Sequence, residues 1–221
     1  MNPDRTSNTL PPHMHVCQRT NLKHPTMIPV HELSIRLLVQ LMVTLVILSP
    51  PCTIFSSLQA MWNFKKMRAD VVSARWAEGM RHLDHAMDCA RTQYDNGRVF
   101  IFEHPANATS WKQPSVTHVR SLPGVLVIVF DACMLGLTSK VSGIPMKKRT
   151  RIMTNSTIVA EHFRGRMCDG THRHQRIHQC EGGVSRAVWA QIYPPPMVRL
   201  LAQCASDLRW SRMTAGVSAT H

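Results

Sequence analysis

Hydrophobic positions along this chain alternate between two patterns, short uniformly apolar runs and longer segments with an apolar residue every third or fourth place. The run at 43–48, VTLVIL, is β-branched and apolar throughout, as expected of a strand covered on both faces. Val72, Trp76, Met80, Leu83, Met87 and Ala90 then recur at helical spacing, and Asn96-Gly97 supplies a stop. Residues 98–102 read as a second strand, 112–122 as a helix, and 125–130 as a third strand entered through Pro123-Gly124. A fourth strand is expected at 150–154, a helix at 157–163, and an apolar helix at 197–204 after Pro194-Pro-Pro196. A short helix at 31–40 would lead into the first strand.

This alternation predicts an α/β, Rossmann-like domain, a mostly parallel sheet with crossover helices. The domain is expected over 35–205, with a polar, Pro-rich, loosely packed arm at 1–34 and a tail at 206–221. At 221 residues there is room for one such domain. The uncharged run at 37–55 is long enough for a membrane span, yet Gln40, Thr44, Ser49 and Pro50-Pro51 interrupt it, so the strand reading is preferred.

Charge narrows the function. Lys and Arg number 26 against 13 Asp and Glu, a net +13, and nine basic against two acidic residues between Lys140 and Arg176 contribute +7 of it. Such density points to a polyanion, most simply nucleic acid, with Lys147, Lys148, Arg149, Arg151, Arg164 and Arg166 as the expected contacts. Seven unclustered Cys and no visible secretory leader suit an intracellular location, nuclear or cytoplasmic, rather than a disulfide scaffold. Cys168, His172, His174, His178 and Cys180 offer zinc-ligating groups within thirteen residues. Their spacings match no paired-ligand pattern, and the plain alternative is a basic, His-rich surface loop.

In open α/β sheets chemistry gathers beyond the carboxyl ends of the strands. The first strand is followed by Ser49-Pro-Pro-Cys52-Thr-Ile-Phe55-Ser56, the second by Glu103-His-Pro105, the third by Asp131-Ala-Cys133, and Lys147 to Arg151 open the fourth. Pro-Pro-Cys with Phe-Ser three residues on resembles the nucleophile loop of DNA (cytosine-5) methyltransferases, and the resemblance runs in order through Glu103 and the Arg149-Thr-Arg151 pair over about half the chain. The match is to divergent, truncated members such as those of phages and retroelements. The family has Glu-Asn-Val where this chain has Glu103-His104-Pro105, and a Gln where it has Lys147.

The resemblance implies that Cys52 adds to carbon 6 of a flipped-out cytosine, that Glu103 contacts the ring nitrogen, and that Arg149 and Arg151 support the site and the DNA. It also implies S-adenosylmethionine as methyl donor. A donor site of that kind needs a glycine-rich turn after a strand, and no glycine occurs before Gly79, so the chain is expected to be weak or inactive alone, a partner subunit being one source of the donor half. Two alternatives stand beside this reading: a non-catalytic nucleic-acid-binding module from a retroelement, and a small basic protein held at a membrane through 37–55.

Overall fold

The structure, a computed structural model, describes residues 35, 38, 40–56 and 63–218. The expected arm at 1–34 lies outside them, as does most of the expected helix at 31–40. Four strands form the main sheet: β1 (Leu45–Leu48), β2 (Val99–Pro105), β3 (Leu126–Asp131) and β4 (Arg149–Thr154), in the order β1-β2-β4-β3. β1 and β2 pair in parallel, with Leu45 opposite Val99 and Leu48 opposite Phe102. β4 is antiparallel to both β2 and β3.

Thus β1, β2 and β3 run in one direction, and β4 lies between β2 and β3 in the other. The fold is mixed α/β, and the sheet is mixed where a mostly parallel one was expected. The reason is the connection into β4. Residues 132–148 hold a 3-10 turn (Ala132–Leu135) and loops, with no crossover helix to carry the chain back across the sheet.

Helix α1 (Ala69–Asp95) follows the apolar spacing read from the sequence and ends at Asn96, with Gly97 in the left-handed region at φ 61°. Its Leu83, Ala86, Met87 and Ala90 pack on one sheet face against Phe100, Phe102 and Met153. Helix α2 (Pro114–Arg120) starts on a proline suited to a first turn and adds Val116 and Val119 to the same layer. The other face carries α3 (Thr157–Phe163), capped by the Ser156 hydroxyl accepting from the Val159 N–H, and α5 (Pro195–Ser218). Between these two lie the small hairpin β5 (Cys180–Glu181) and β6 (Val184–Ser185) and the turn-long α4 (Arg186–Trp189).

Helices on both faces bury β2 from Val99 to His104, which explains the apolar run Val99 to Phe102 at its start. Helix α5 continues beyond the expected domain end at 205, and Leu208 is buried in the core, so residues 206–218 belong to a helix rather than a tail. The segment weighed as a membrane span holds β1, and no helix among the described residues is long and apolar enough to cross a membrane.

Candidate functional site

Because β1, β2 and β3 share a direction, their carboxyl ends open onto one rim, and the amino end of antiparallel β4 joins them there. Ser49 to Cys52, Glu103 to Pro105, Asp131 to Cys133 and Lys147 to Arg149 all come from this rim. Alternation along each strand then divides them between the two faces.

Glu103 lies on the α3/α5 face, buried to 6% exposure. Its carboxyl group sits 3.8 Å from Lys148 Nζ and accepts a 3.2 Å hydrogen bond from the Tyr193 hydroxyl. Ser49 Oγ lies in hydrogen-bonding contact with that same hydroxyl. Since Tyr193 gives its proton to Glu103, Ser49 is the donor, and a relay runs Ser49 to Tyr193 to Glu103. Burial and the adjacent carboxyl group raise the Tyr193 pKa, so its ring stays a neutral donor.

Cys52 is half-buried beside this group. Desolvation raises its pKa, Lys148 opposes that rise and Glu103 adds to it. One cation and one carboxyl group therefore both act on the sulfur. A turn bonded from the Phe55 N–H to the Cys52 carbonyl (3.1 Å) shapes the loop, and the fully buried Phe55 ring anchors it against Trp76.

His104 points to the opposite face. Its Nε2 is 2.9 Å from the Pro50 carbonyl and its Nδ1 is 2.7 Å from Ser110 Oγ. A carbonyl only accepts, so Nε2 carries the proton and Nδ1 accepts from Ser110. Burial lowers the His104 pKa to about 4, consistent with a neutral ring that ties the Pro50-Pro51 bend to β2.

Glu103 and Lys148 thus meet at 3.8 Å with Cys52 within electrostatic reach of both on the same rim, and the two arginines lie elsewhere. Arg149 forms a two-pronged ion pair with fully buried Asp131, its cross-strand partner, at 3.0 and 3.1 Å. Arg151 pairs in register with His104 on the α1/α2 face, and its guanidinium lies 5.0 Å over the Trp111 ring. Glu103 projects from the other side of the sheet. Lys148, expected on phosphate, instead donates to the Ala190 carbonyl at 3.1 Å while facing Glu103. Lys147 and Arg164 are exposed, and Arg166 donates to the His162 carbonyl at 2.7 Å. Arg164 also pairs with Glu161 at 3.3 Å.

Tyr193, Ser49, His104 and Ser110 were not marked as site residues by sequence reasoning. No motif singles out Tyr193, which comes from a loop 90 residues beyond Glu103. His104 was legible only as a departure from the family's Asn.

S-adenosylmethionine does not fit the residues present. β1 runs into Ser49-Pro50-Pro51, and the first glycine, Gly79, lies inside α1, where a Cβ would overlap the Ile54 side chain. No glycine turn follows β1 among the described residues, so the backbone cannot approach a donor there.

A second group sits at the end of β3. Cys133, Cys168, His172 and His174 hold one ligand atom each within 4.8 Å of one another, and together they could hold a metal ion. His178 and Cys180 are outside this group, while Cys133, unmarked in the sequence, joins it. Thirty-five residues separate Cys133 from Cys168, too far for any local spacing rule.

No protein-family model matches this chain, and no curated protein or solved structure is similar to it.

Proposed function

We propose that the chain is the base-capturing half of a cytosine-5 methyltransferase-like site, a Rossmann-like fragment that binds nucleic acid, DNA first, and presents Cys52 to an unstacked cytosine. The observation that carries this reading is the convergence of Cys52 and Glu103 at one rim, beside Lys148. The three strands bearing the resemblance, β1, β2 and β4, are also adjacent in the sheet.

In this reading the Cys52 thiol gives up its proton and the sulfur forms a bond to carbon 6 of the base. The carbon 5–carbon 6 π pair moves to carbon 5, which takes a proton from water, so the addition is reversible. Lys148 stabilises the sulfur anion on the way, and the Glu103 carboxyl group meets the ring nitrogen. No methyl transfer is derived, because the described residues offer no seat for a donor; a partner subunit would have to supply one. Arg149 and Arg151 act as scaffold through Asp131 and Trp111.

The test is DNA carrying 5-azacytosine, whose ring nitrogen at position 5 takes the proton and holds the adduct. A denaturation-resistant complex with the wild-type chain, lost in Cys52→Ser, is expected without any methyl donor. Salt-sensitive binding with no adduct would leave the non-catalytic nucleic-acid-binding module as the correct reading.

A further inference from the structure

We infer that Cys133, Cys168, His172 and His174 form a closed, structural zinc site that clasps the basic 169–179 loop to the end of β3. The inference stands independently of base capture at Cys52.

The donor set is the first ground. Two thiols and two imidazoles are soft and borderline ligands, the chemistry of four-coordinate zinc rather than of calcium or magnesium. Distance is the second. With zinc–sulfur bonds of about 2.3 Å and zinc–nitrogen bonds of about 2.0 Å, a tetrahedron sets sulfur and nitrogen roughly 3.6 Å apart. Cys168 Sγ lies 3.7 Å from His172 Nε2 and 3.4 Å from His174 Nε2. The His172 and His174 ring centroids lie 4.4 Å apart, and both Nε2 atoms approach the same sulfur.

The frame around the ligands is the third ground. The Asp131 N–H donates to the Arg166 carbonyl at 3.0 Å, and the Cys168 N–H donates to the Asp131 carboxylate at 3.1 Å. These bonds dock the 166–168 segment on the strand that leads into Cys133, so the two halves of the site meet through hydrogen bonds to Asp131 that need no metal. The Gly170 N–H points at Cys168 Sγ from 3.4 Å, an outer donor suited to a sulfur that carries negative charge. Gly170 is left-handed at φ 84°, which lets the chain turn tightly enough to aim that N–H.

Four protein ligands leave no open position, so the ion would serve structure rather than catalysis. Its effect is to hold the segment carrying exposed Arg173 and Arg176, whose Gln175 bridges to Met146, on the side from which nucleic acid would approach.

Cobalt(II) titration of the full reduced chain tests the site. One equivalent should give the visible bands of a tetrahedral centre with thiolate charge transfer, displaced by zinc. Cys133→Ser and Cys168→Ser should each remove about half of the charge-transfer intensity, one of two thiolates being gone. His178→Asn and Cys180→Ser should keep the wild-type spectrum and stoichiometry. Zinc should also protect the 169–179 loop from proteolysis, a readout that does not depend on nucleic acid. Failure of the wild-type chain to take up one tetrahedral cobalt, or equal loss in Cys180→Ser and Cys168→Ser, would overturn the assignment. So would a Cys133–Cys168 disulfide persisting under reductant.

Discussion

His104 Nε2 donates to the Pro50 carbonyl across 2.9 Å, joining the end of β2 to the bend that carries Cys52. The ring is 1% exposed and accepts from Ser110 on its other nitrogen, so the bend is held by a residue locked at both ends. His104 is a positioning residue, two bonds removed from any chemistry. It makes the stiff Pro-Pro turn answer to the sheet rather than to the loop alone.

That lock predicts an acid limit. The folded His104 pKa of about 4 lies below its ordinary 6.5. The unfolded chain therefore binds a proton there that the folded chain refuses. Stability from this group is complete above pH 6.5 and is lost as pH falls toward 4, by about 3 kcal/mol in all. Urea unfolding at pH 7.5, 5.5 and 4.5 should show this decline, and His104→Gln should flatten it. An equally steep decline in His104→Gln would assign the acid sensitivity to other groups. Asp131 is separable because its lowered pKa confines its loss of stability to more acidic pH.

Cys52 should be a reluctant nucleophile. Burial raises its pKa above the ordinary 9.0, so its alkylation rate should still be climbing with pH past 9. Lys148→Met removes the opposing cation and should move the profile further alkaline, while Glu103→Gln should move it back. Iodoacetamide labelling read at the Cys52 peptide by mass spectrometry measures both. Identical profiles in the two variants would mean that neither charge reaches the sulfur.

Gly79 sets the distance between α1 and the loop after Cys52. Alanine there gains about 1 kcal/mol in helix propensity, but its Cβ overlaps Ile54, and overpacking of this kind costs about 1–3 kcal/mol. Gly79→Ala should therefore lower the urea midpoint, and it should cost less in an Ile54→Ala background, which lacks the Cγ2 methyl that the new Cβ meets. A Gly79→Ala chain at least as stable as wild type would show that the helix and loop can separate freely.

Nucleic-acid affinity should come from the exposed cations, with the engaged ones contributing little. Replacing Lys140, Arg173 and Arg176 by Ala should reduce the slope of log affinity against log salt by about 2–3 on DNA. Lys148→Met should leave that slope unchanged, because its ammonium group faces Glu103 and the Ala190 carbonyl. Fluorescence anisotropy over a salt series distinguishes them. A slope lowered as much by Lys148→Met as by the triple variant would put phosphate in the cleft.

The elements were legible because their signals are local. The spacing of Val72 to Ala90 and the stop at Asn96-Gly97 specify α1 within a few residues, and apolar runs mark β1 and the first half of β2 as strands, although β1, expected to be covered on both faces, lies at the sheet edge with Ile47 exposed. Cys52 and Glu103 were expected on one rim only because parallel strands share a carboxyl edge and because the resemblance orders them so, not through any local signal.

What the sequence could not supply was decided by pairing between distant segments. A six-residue strand carries the same alternation whichever way it runs, so the reversal of β4 is invisible in its residues. That reversal and its register put Arg151 behind the sheet with His104, and Arg149 against Asp131. Cys133 meets Cys168, His172 and His174 because the Asp131 N–H and carboxylate bond the later segment to the end of β3. Periodicity records which side of a strand is covered; only the tertiary contacts record what covers it.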